Sequence, residues 1–135
     1  MSQQIYNALA TRLSGSSSLM AAVGERIYEL EAPLNAKLPL IRFAAVTNPI
    51  TRSFGDRRGQ SMLVQIDIYE DKENGTDTLG SIEEIMYQHL EQAEVEVAGH
   101  DRGTIMCERR DIRSIEDDAI RSLSEYRIIG YSNGD

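Results

Sequence analysis

The strongest constraint on the fold is a strict alternation in residues 61–70, SMLVQIDIYE. Met62, Val64, Ile66 and Ile68 are apolar, whereas the residues between them are mixed. Successive side chains of a β-strand point to opposite faces, so this period of two predicts a strand with one buried face. Such a strand needs paired neighbours and an element that covers its apolar face.

Apolar residues at helical spacing supply that cover. One helix is predicted from a cap at Thr76 or Asp77 to about Gln92, and another from Ser2 to Leu13. The inward face of the first is predicted to carry Leu79, Ile82, Met86, Leu90 and Ala93, and its solvent face Glu83, Glu84, Gln88 and Glu91. The apolar stripe of the second is formed by Ile5, Leu9 and Leu13.

The remaining segments complete an α+β pattern. A short helix, LMAAV, is predicted between an N-cap in Ser16–Ser18 and a stop at Gly24. Further strands are predicted at 26–30, 38–47, 95–99, 104–114 and 120–132, with a polar tail at 132–135. The order ααβββαβββ predicts a single domain over residues 1–135, an antiparallel sheet with helices packed on one face.

The second and third predicted strands are joined by a long loop at about 49–60, so we expect a long-looped β-hairpin that projects from the sheet. The loop contains the basic stretch RSFGDRRGQ, residues 52–60. Gly55 and Gly59 permit unusual backbone angles, which predicts a flexible tip that becomes ordered on docking.

Charge is distributed unevenly along the chain. The net charge is −8, and residues 70–96 alone hold nine acidic residues against one basic residue, Lys72, which leaves thirteen of each sign elsewhere. A negative chain is unsuited to general phosphate binding, so specific nucleic-acid binding is not expected.

No arrangement of residues predicts catalysis, a cofactor or a metal. The two histidines, His89 and His100, and the single cysteine, Cys107, lack the close pairs of a zinc site, and a strand cysteine is usually packed and inert. A nucleophile elbow and a phosphate-binding loop are both missing from the sequence. We therefore predict no enzyme, no cofactor and no bound metal.

The chain shows no pattern of export or membrane insertion. Its first residues lack the charged start and apolar run of a signal peptide, and no stretch approaches the roughly 20 apolar residues of a membrane span. One cysteine makes an intrachain disulfide impossible. We expect a soluble protein that folds in a reducing cytoplasm and does not bind membranes.

Three blocks of sequence form a pattern in order and spacing: ERIYELEAPLNAKLPLIRF at 25–43, VQIDIYE at 64–70 before a helix, and EDDAIRSLSEYRIIGY at 116–131. Together they resemble the tail-completion, or tail-terminator, family of long-tailed bacteriophages and prophages. The penultimate strand, with CERRDIR at 107–113, departs from the pattern because it is rather charged. This departure bears on the subunit contacts.

The resemblance implies a structural virion protein without catalysis or cofactor. Such proteins form a hexameric ring at the head-proximal end of the tail tube, assembled in the host cytoplasm. The ring stops tube polymerisation and provides the surface for head–tail joining. The implied partners are other copies of the chain, the tail tube protein and a head-completion or neck protein, while DNA passes through the channel.

Two sets of residues are candidates for these contacts. Arg52, Phe54, Arg57 and Arg58 are predicted to meet a neighbouring subunit or the tube, or to form a solvated hairpin tip. Glu83, Glu84 and Glu91 are predicted to line the channel or to meet a neighbour, or to form a solvated helix face. Alternative functions are a head-side neck adaptor or stopper and, more remotely, a small α+β hydrolase.

Overall fold

The structure is a computed structural model that describes residues 2–46, 50–54 and 57–133, with the backbone alone at residues 2, 50–54, 57, 58, 132 and 133. Three helices and seven strands make up the described chain. They are α1 (Ser2–Ser14), α2 (Ser17–Val23), β1 (Ile27–Glu29), β2 (Leu40–Ala45), β3 (Ile50–Phe54), β4 (Arg57–Asp71), α3 (Gly75–Leu90), β5 (Glu94–Val95), β6 (Arg102–Glu116) and β7 (Ala119–Asn133).

All the described strands belong to one sheet, in the order β1-β2-β4-β7-β6-β5, with β3 also paired to β4. At its centre, β4 and β7 pair antiparallel in unbroken register from Arg57↔Asn133 to Asp71↔Ala119. The β1–β2 pair is parallel because a loop of ten residues, 30–39, separates the two strands, whereas a short turn would return the chain antiparallel.

The hydrophobic core lies between one face of the sheet and the helices. Met62, Val64, Ile66 and Ile68 of β4 are fully buried on this face, as the alternation predicts. The three helices cover it with a continuous set of buried side chains. Burying one such aliphatic side chain contributes about 1.5–3 kcal/mol, so this layer is the main stabilising contact of the fold.

The helices are fixed to the sheet and to each other by specific hydrogen bonds as well as by packing. The Tyr6 hydroxyl on α1 accepts the backbone N–H of Ala45 at 2.6 Å. Arg12 donates through Nε and Nη2 to the His89 carbonyl at 3.0 and 2.8 Å. The His89 Nε2 lies 2.6 Å from the Arg12 carbonyl and donates to it, because a carbonyl can only accept. Each helix C-terminus therefore satisfies a carbonyl of the other.

The α+β class and the one-sided helix packing are confirmed, and β2 and β4 form the predicted antiparallel pair, although β7 continues beside the hairpin as far as Asn133. Two expectations about the elements are wrong. The segment predicted as a loop contains a strand, β3, which pairs with the first residues of β4. The N-cap of α3 is Asn74, with no side-chain cap hydrogen bond, rather than Thr76 or Asp77.

The serine run before α2 acts as predicted. Ser16 is the N-cap, and its Oγ accepts the Leu19 backbone N–H at 3.2 Å. Gly24 ends the helix in the left-handed region, with φ of 60°, which glycine adopts without the strain of a side chain.

Replacing Ser16 with Ala should lower the free energy of unfolding by about 1 kcal/mol, because the Leu19 N–H loses its acceptor. The measurement is the urea concentration at the midpoint of unfolding, compared at a constant dependence of the unfolding free energy on urea. Ser18→Ala is the matched control in the same run and should not destabilise, since Ala is the better helix former. Equal losses in both variants would show that the cap contributes nothing specific.

Candidate assembly surfaces

The first candidate surface, the basic hairpin, is a strand pair rather than a loop. Phe54 pairs with Arg57, Ser53 with Arg58 and Arg52 with Gly59. On its other edge β4 is paired with β7 as far as Asn133, so this part of the sheet has three strands. The side chains of the four candidate residues, and all of residues 55 and 56, lie outside the described structure. Their contact roles stay predictions.

The two ends of β4 differ in charge. The strand begins with Arg57 and Arg58 and ends with Glu70 and Asp71, about 46 Å away at roughly 3.3 Å per residue. The turn between β6 and β7 adds acidic residues at this second end, where the Lys72 N–H donates to the Asp118 carbonyl at 3.1 Å. The two ends of β4 are therefore basic and acidic, respectively.

The second candidate surface, the acidic face of α3, needs one correction. Glu83 was expected on the solvent face, but it is 3% exposed and faces the sheet. Its position explains this, because Glu83 is four residues after Leu79 and three before Met86, both of which are buried. Glu83 is therefore absent from the solvent face of α3, and it has a role within the fold.

That role is to bind Arg110, which reaches back from β6 to α3. Arg110 Nε donates to Glu83 Oε2 at 2.8 Å, and its Nη2 donates to Glu84. The guanidinium carbon lies 3.7 Å from the centroid of the Tyr87 ring, in a cation–π contact. Hydrogen bonding to Glu83 raises the pKa of Arg110, although partial burial opposes the shift, so the side chain is always charged.

The other two acidic candidates differ from Glu83 and from each other. Glu84 has 54% of its side chain exposed and accepts a hydrogen bond from Gln88 at 2.9 Å. Hydrogen bonds from Gln88 and Arg110 lower the pKa of Glu84. Glu91 is half-buried, and its Oε2 accepts the Cys107 backbone N–H at 2.9 Å. The carboxylate thus takes the place of the carbonyl that a neighbouring strand would offer.

The charged middle of β6 is irregular, which accounts for its poor alternation. The register with β7 shifts between Cys107 and Arg109 and again between Arg109 and Ile112, as at a β-bulge. Asp111 has φ of 56° at the second shift. Its carboxylate accepts the Ser122 hydroxyl at 2.6 Å and Arg113 Nε at 3.0 Å. Burial alone would raise the pKa of Asp111, but these two hydrogen bonds lower it.

The opposite face of the sheet carries cross-strand ion pairs that the sequence analysis did not identify. Asp67 is 1% exposed and binds Arg42, its cross-strand partner, at 2.7 Å. Three further pairs on β6 and β7 continue the pattern, namely Arg109–Glu125, Arg121–Glu116 and Arg127–Glu108. The alternation in β4 indicates that Asp67 lies on the face away from the core. The β2–β4 register then places Arg42 opposite it.

The residues considered for chemistry are not assembled into a site. His89 is engaged with Arg12, and His100 packs its ring against Gly130. Burial raises the pKa of the Cys107 thiol, which disfavours its reactive thiolate. Within residues 2–46, 50–54 and 57–133, no three histidine, cysteine, aspartate or glutamate side chains are grouped to hold a metal.

A cleft of about 420 Å³ lies between α1 and the 94–98 segment. Two of its lining residues, Arg12 and His89, are committed to each other's backbone carbonyls, so they do not converge on a ligand. No helix in the described part of the chain is long and apolar enough to cross a membrane.

Comparison with known structures defines the fold. A chain in a structure described as the virion of a native gene transfer agent (GTA) particle is 18% identical, with a TM-score of 0.73 over 93% of both chains. A second solved structure is 10% identical, with a TM-score of 0.69 over 96% of this chain and 95% of that one. At such identities the likeness shows a shared fold alone, and no curated protein matches the sequence.

The sequence itself identifies the family. A family model described as tail completion protein gp17 matches residues 7–130. This chain is therefore a structural protein of a phage tail. It belongs to the tail completion protein gp17 family, and the resemblance predicted from the sequence is confirmed.

Replacing Glu83 with Ala should lower the free energy of unfolding by about 1–3 kcal/mol, because Arg110 loses a buried, charge-assisted hydrogen bond. Glu84→Ala is the matched control on the same helix, and it should change stability little because that pair is exposed. Urea unfolding of both variants at neutral pH is the measurement. If Glu84→Ala lowers the free energy of unfolding as much as Glu83→Ala does, burial does not distinguish the two contacts.

Proposed function

We propose that this protein forms a ring, with six copies as the expected number, that caps the head-proximal end of the tail tube. The observation that carries the proposal is the family match over residues 7–130. The similar chain from a gene transfer agent particle is described as part of a virion, which supports placing this protein in a virion as well.

The proposed mechanism is steric. A ring seated on the last ring of the tube covers the surfaces to which another tube subunit would bind, so polymerisation stops. The opposite side of the ring is then free to join a head-completion or neck protein. The basic and acidic ends of β4 support this arrangement, because a subunit with two differently charged ends can contact two different partners along one axis.

We propose that the basic hairpin is the end that contacts a neighbouring subunit or the tube. Arg52, Phe54, Arg57 and Arg58 lie in the paired strands of this hairpin. A paired hairpin loses less conformational freedom on docking than an open loop would, so the docking cost is lower.

Changing both Arg57 and Arg58 to Glu should produce overlong or headless tails, because a basic hairpin is suited to an acidic partner surface, which the reversed charges would repel. Electron microscopy of tail lengths in the assembling phage is the measurement. Lys72→Glu, a charge reversal at the opposite end of β4, is the control and should leave tail lengths normal. Normal lengths in the double variant would remove the hairpin from the capping mechanism.

We propose that Glu84 and Glu91 contribute negative charge to a channel through which DNA slides without binding, because like charges repel its phosphates. Changing both residues to Gln should slow DNA passage and lower the number of infectious particles without altering the tails. DNA ejection, timed on purified particles, is the measurement. Unchanged ejection and infectivity would place these carboxylates away from the channel.

A further inference from the structure

We propose that neighbouring copies meet head to tail through the two opposite lateral ends of the sheet. In this arrangement, the loop that follows β1 on one copy packs against β6 of the next copy. The inference rests on the proposed ring and names the two surfaces that would build it.

The exposed apolar residues carry the inference, because they are divided between these two ends. Large apolar side chains with a substantial exposed surface are confined, within the described side chains, to two groups. Leu30, Leu34 and Val46 belong to the β1–β2 end, and Met106, Ile112 and Ile115 belong to β6. An uneven distribution of exposed apolar side chains favours interaction sites, and here the two groups lie toward opposite ends of the strand order.

The loop after β1 holds its apolar residues outward at a conformational cost. Leu30 has φ of 70°, a left-handed angle that a leucine adopts rarely and at a cost of about 1–3 kcal/mol. It is nevertheless 55% exposed, and Leu34 is fully exposed. Burial of these leucines within one copy therefore offsets little of the backbone strain. A partner that buried both leucines would offset more of it.

The strand β6 offers an open edge beyond its short pairing with β5. Only Gly103 and Thr104 pair with β5, and the N–H groups of Ile105 and Cys107 are then met by the Ala93 carbonyl and the Glu91 carboxylate. From Arg109 onward, no further strand lies beside β6 in the described chain. The exposed Ile112 and Ile115 lie in this section.

Charge favours the same pairing. Residues 25–31 carry three glutamates and one arginine, and all three glutamates are exposed. None of them takes part in an ion pair among the described side chains. By contrast, β6 carries four arginines against three acidic residues, and Arg109, although paired with Glu125, keeps 67% of its side chain exposed. An acidic end facing a more basic end suits a contact between two copies.

Cyclic symmetry requires this kind of contact. A ring of more than two identical subunits is built from one interface in which two different surfaces meet head to tail. The β1 end and β6 are different surfaces, and the sheet centre holds them apart. Two copies that joined through one shared surface would form only a closed dimer.

The test uses two variants that each block one end, Leu34→Asp and Ile115→Asp. Leu34 is fully exposed and Ile115 is 63% exposed, so neither change removes a core side chain. Native mass spectrometry over a range of concentrations should show a ring for the wild type and monomers for each variant alone. An equimolar mixture should give a 1:1 dimer and nothing larger, because only one intact pair of ends remains.

Ala21→Asp, on the exposed side of α2, is the control for an added charge and should assemble as the wild type does. If each blocking variant alone still forms the ring that the wild type forms, the inference is overturned while the proposed function stays intact. A mixture that stays monomeric or regains the full ring would also overturn the inference. Variants that assemble normally but no longer cap tails would assign these ends to another tail protein instead. A wild type that remains monomeric at every concentration would overturn this inference as a contact that forms without the tube, and normal capping of tails by that monomer would leave the proposed function intact.

Discussion

The pairing of β4 with β7 is the constraint on which the rest of the structure depends. Fifteen residues of each strand remain in one register, so every side chain of the sheet centre has a fixed face. A slip of one residue would turn the buried aliphatic residues of β4 toward solvent and its charged residues into the core. The helices, the ion pairs of the second face and the positions of both sheet ends all follow from this register.

The irregular section of β6 shows how a charged sequence is accommodated at the edge of such a sheet. Two register shifts let Arg110 reach α3 while Arg109 remains on the opposite face with Glu125. Bulges and charged side chains also discourage uncontrolled pairing at a sheet edge. The side chains that remain exposed on β6 would therefore decide which partner it accepts, and Met106, Ile112 and Ile115 are the large apolar ones.

The elements with strong periodicity could be predicted from the sequence, because their burial pattern follows directly from local geometry. The apolar faces of β4 and α3 are examples. The strand β3 could not be found in this way, because its pairing depends on the extension of β4 beyond the alternating segment. The glycines that follow β3, Gly55 and Gly59, favour a loop when only local signals are considered.

The candidate surfaces were predicted less completely, because charge alone does not reveal burial. Glu83 was assigned to solvent on residue type, although its spacing from Leu79 and Met86 places it on the apolar face. Its partner, Arg110, lies 27 residues away, so the local sequence gives no sign of the pair. Predicting long-range pairs of this kind requires the register of the sheet, which local sequence patterns do not give.

The register of β7 has a practical consequence for microscopy. Asn133 pairs with Arg57, so the end of β7 lies beside the hairpin and about 46 Å from the turn that follows β6. A fluorophore or gold label attached at Asn133 therefore marks the hairpin end of the protein. A second label at the exposed Asp118 marks the other end. Together the two labels give the polarity of the subunit in an image of a whole tail.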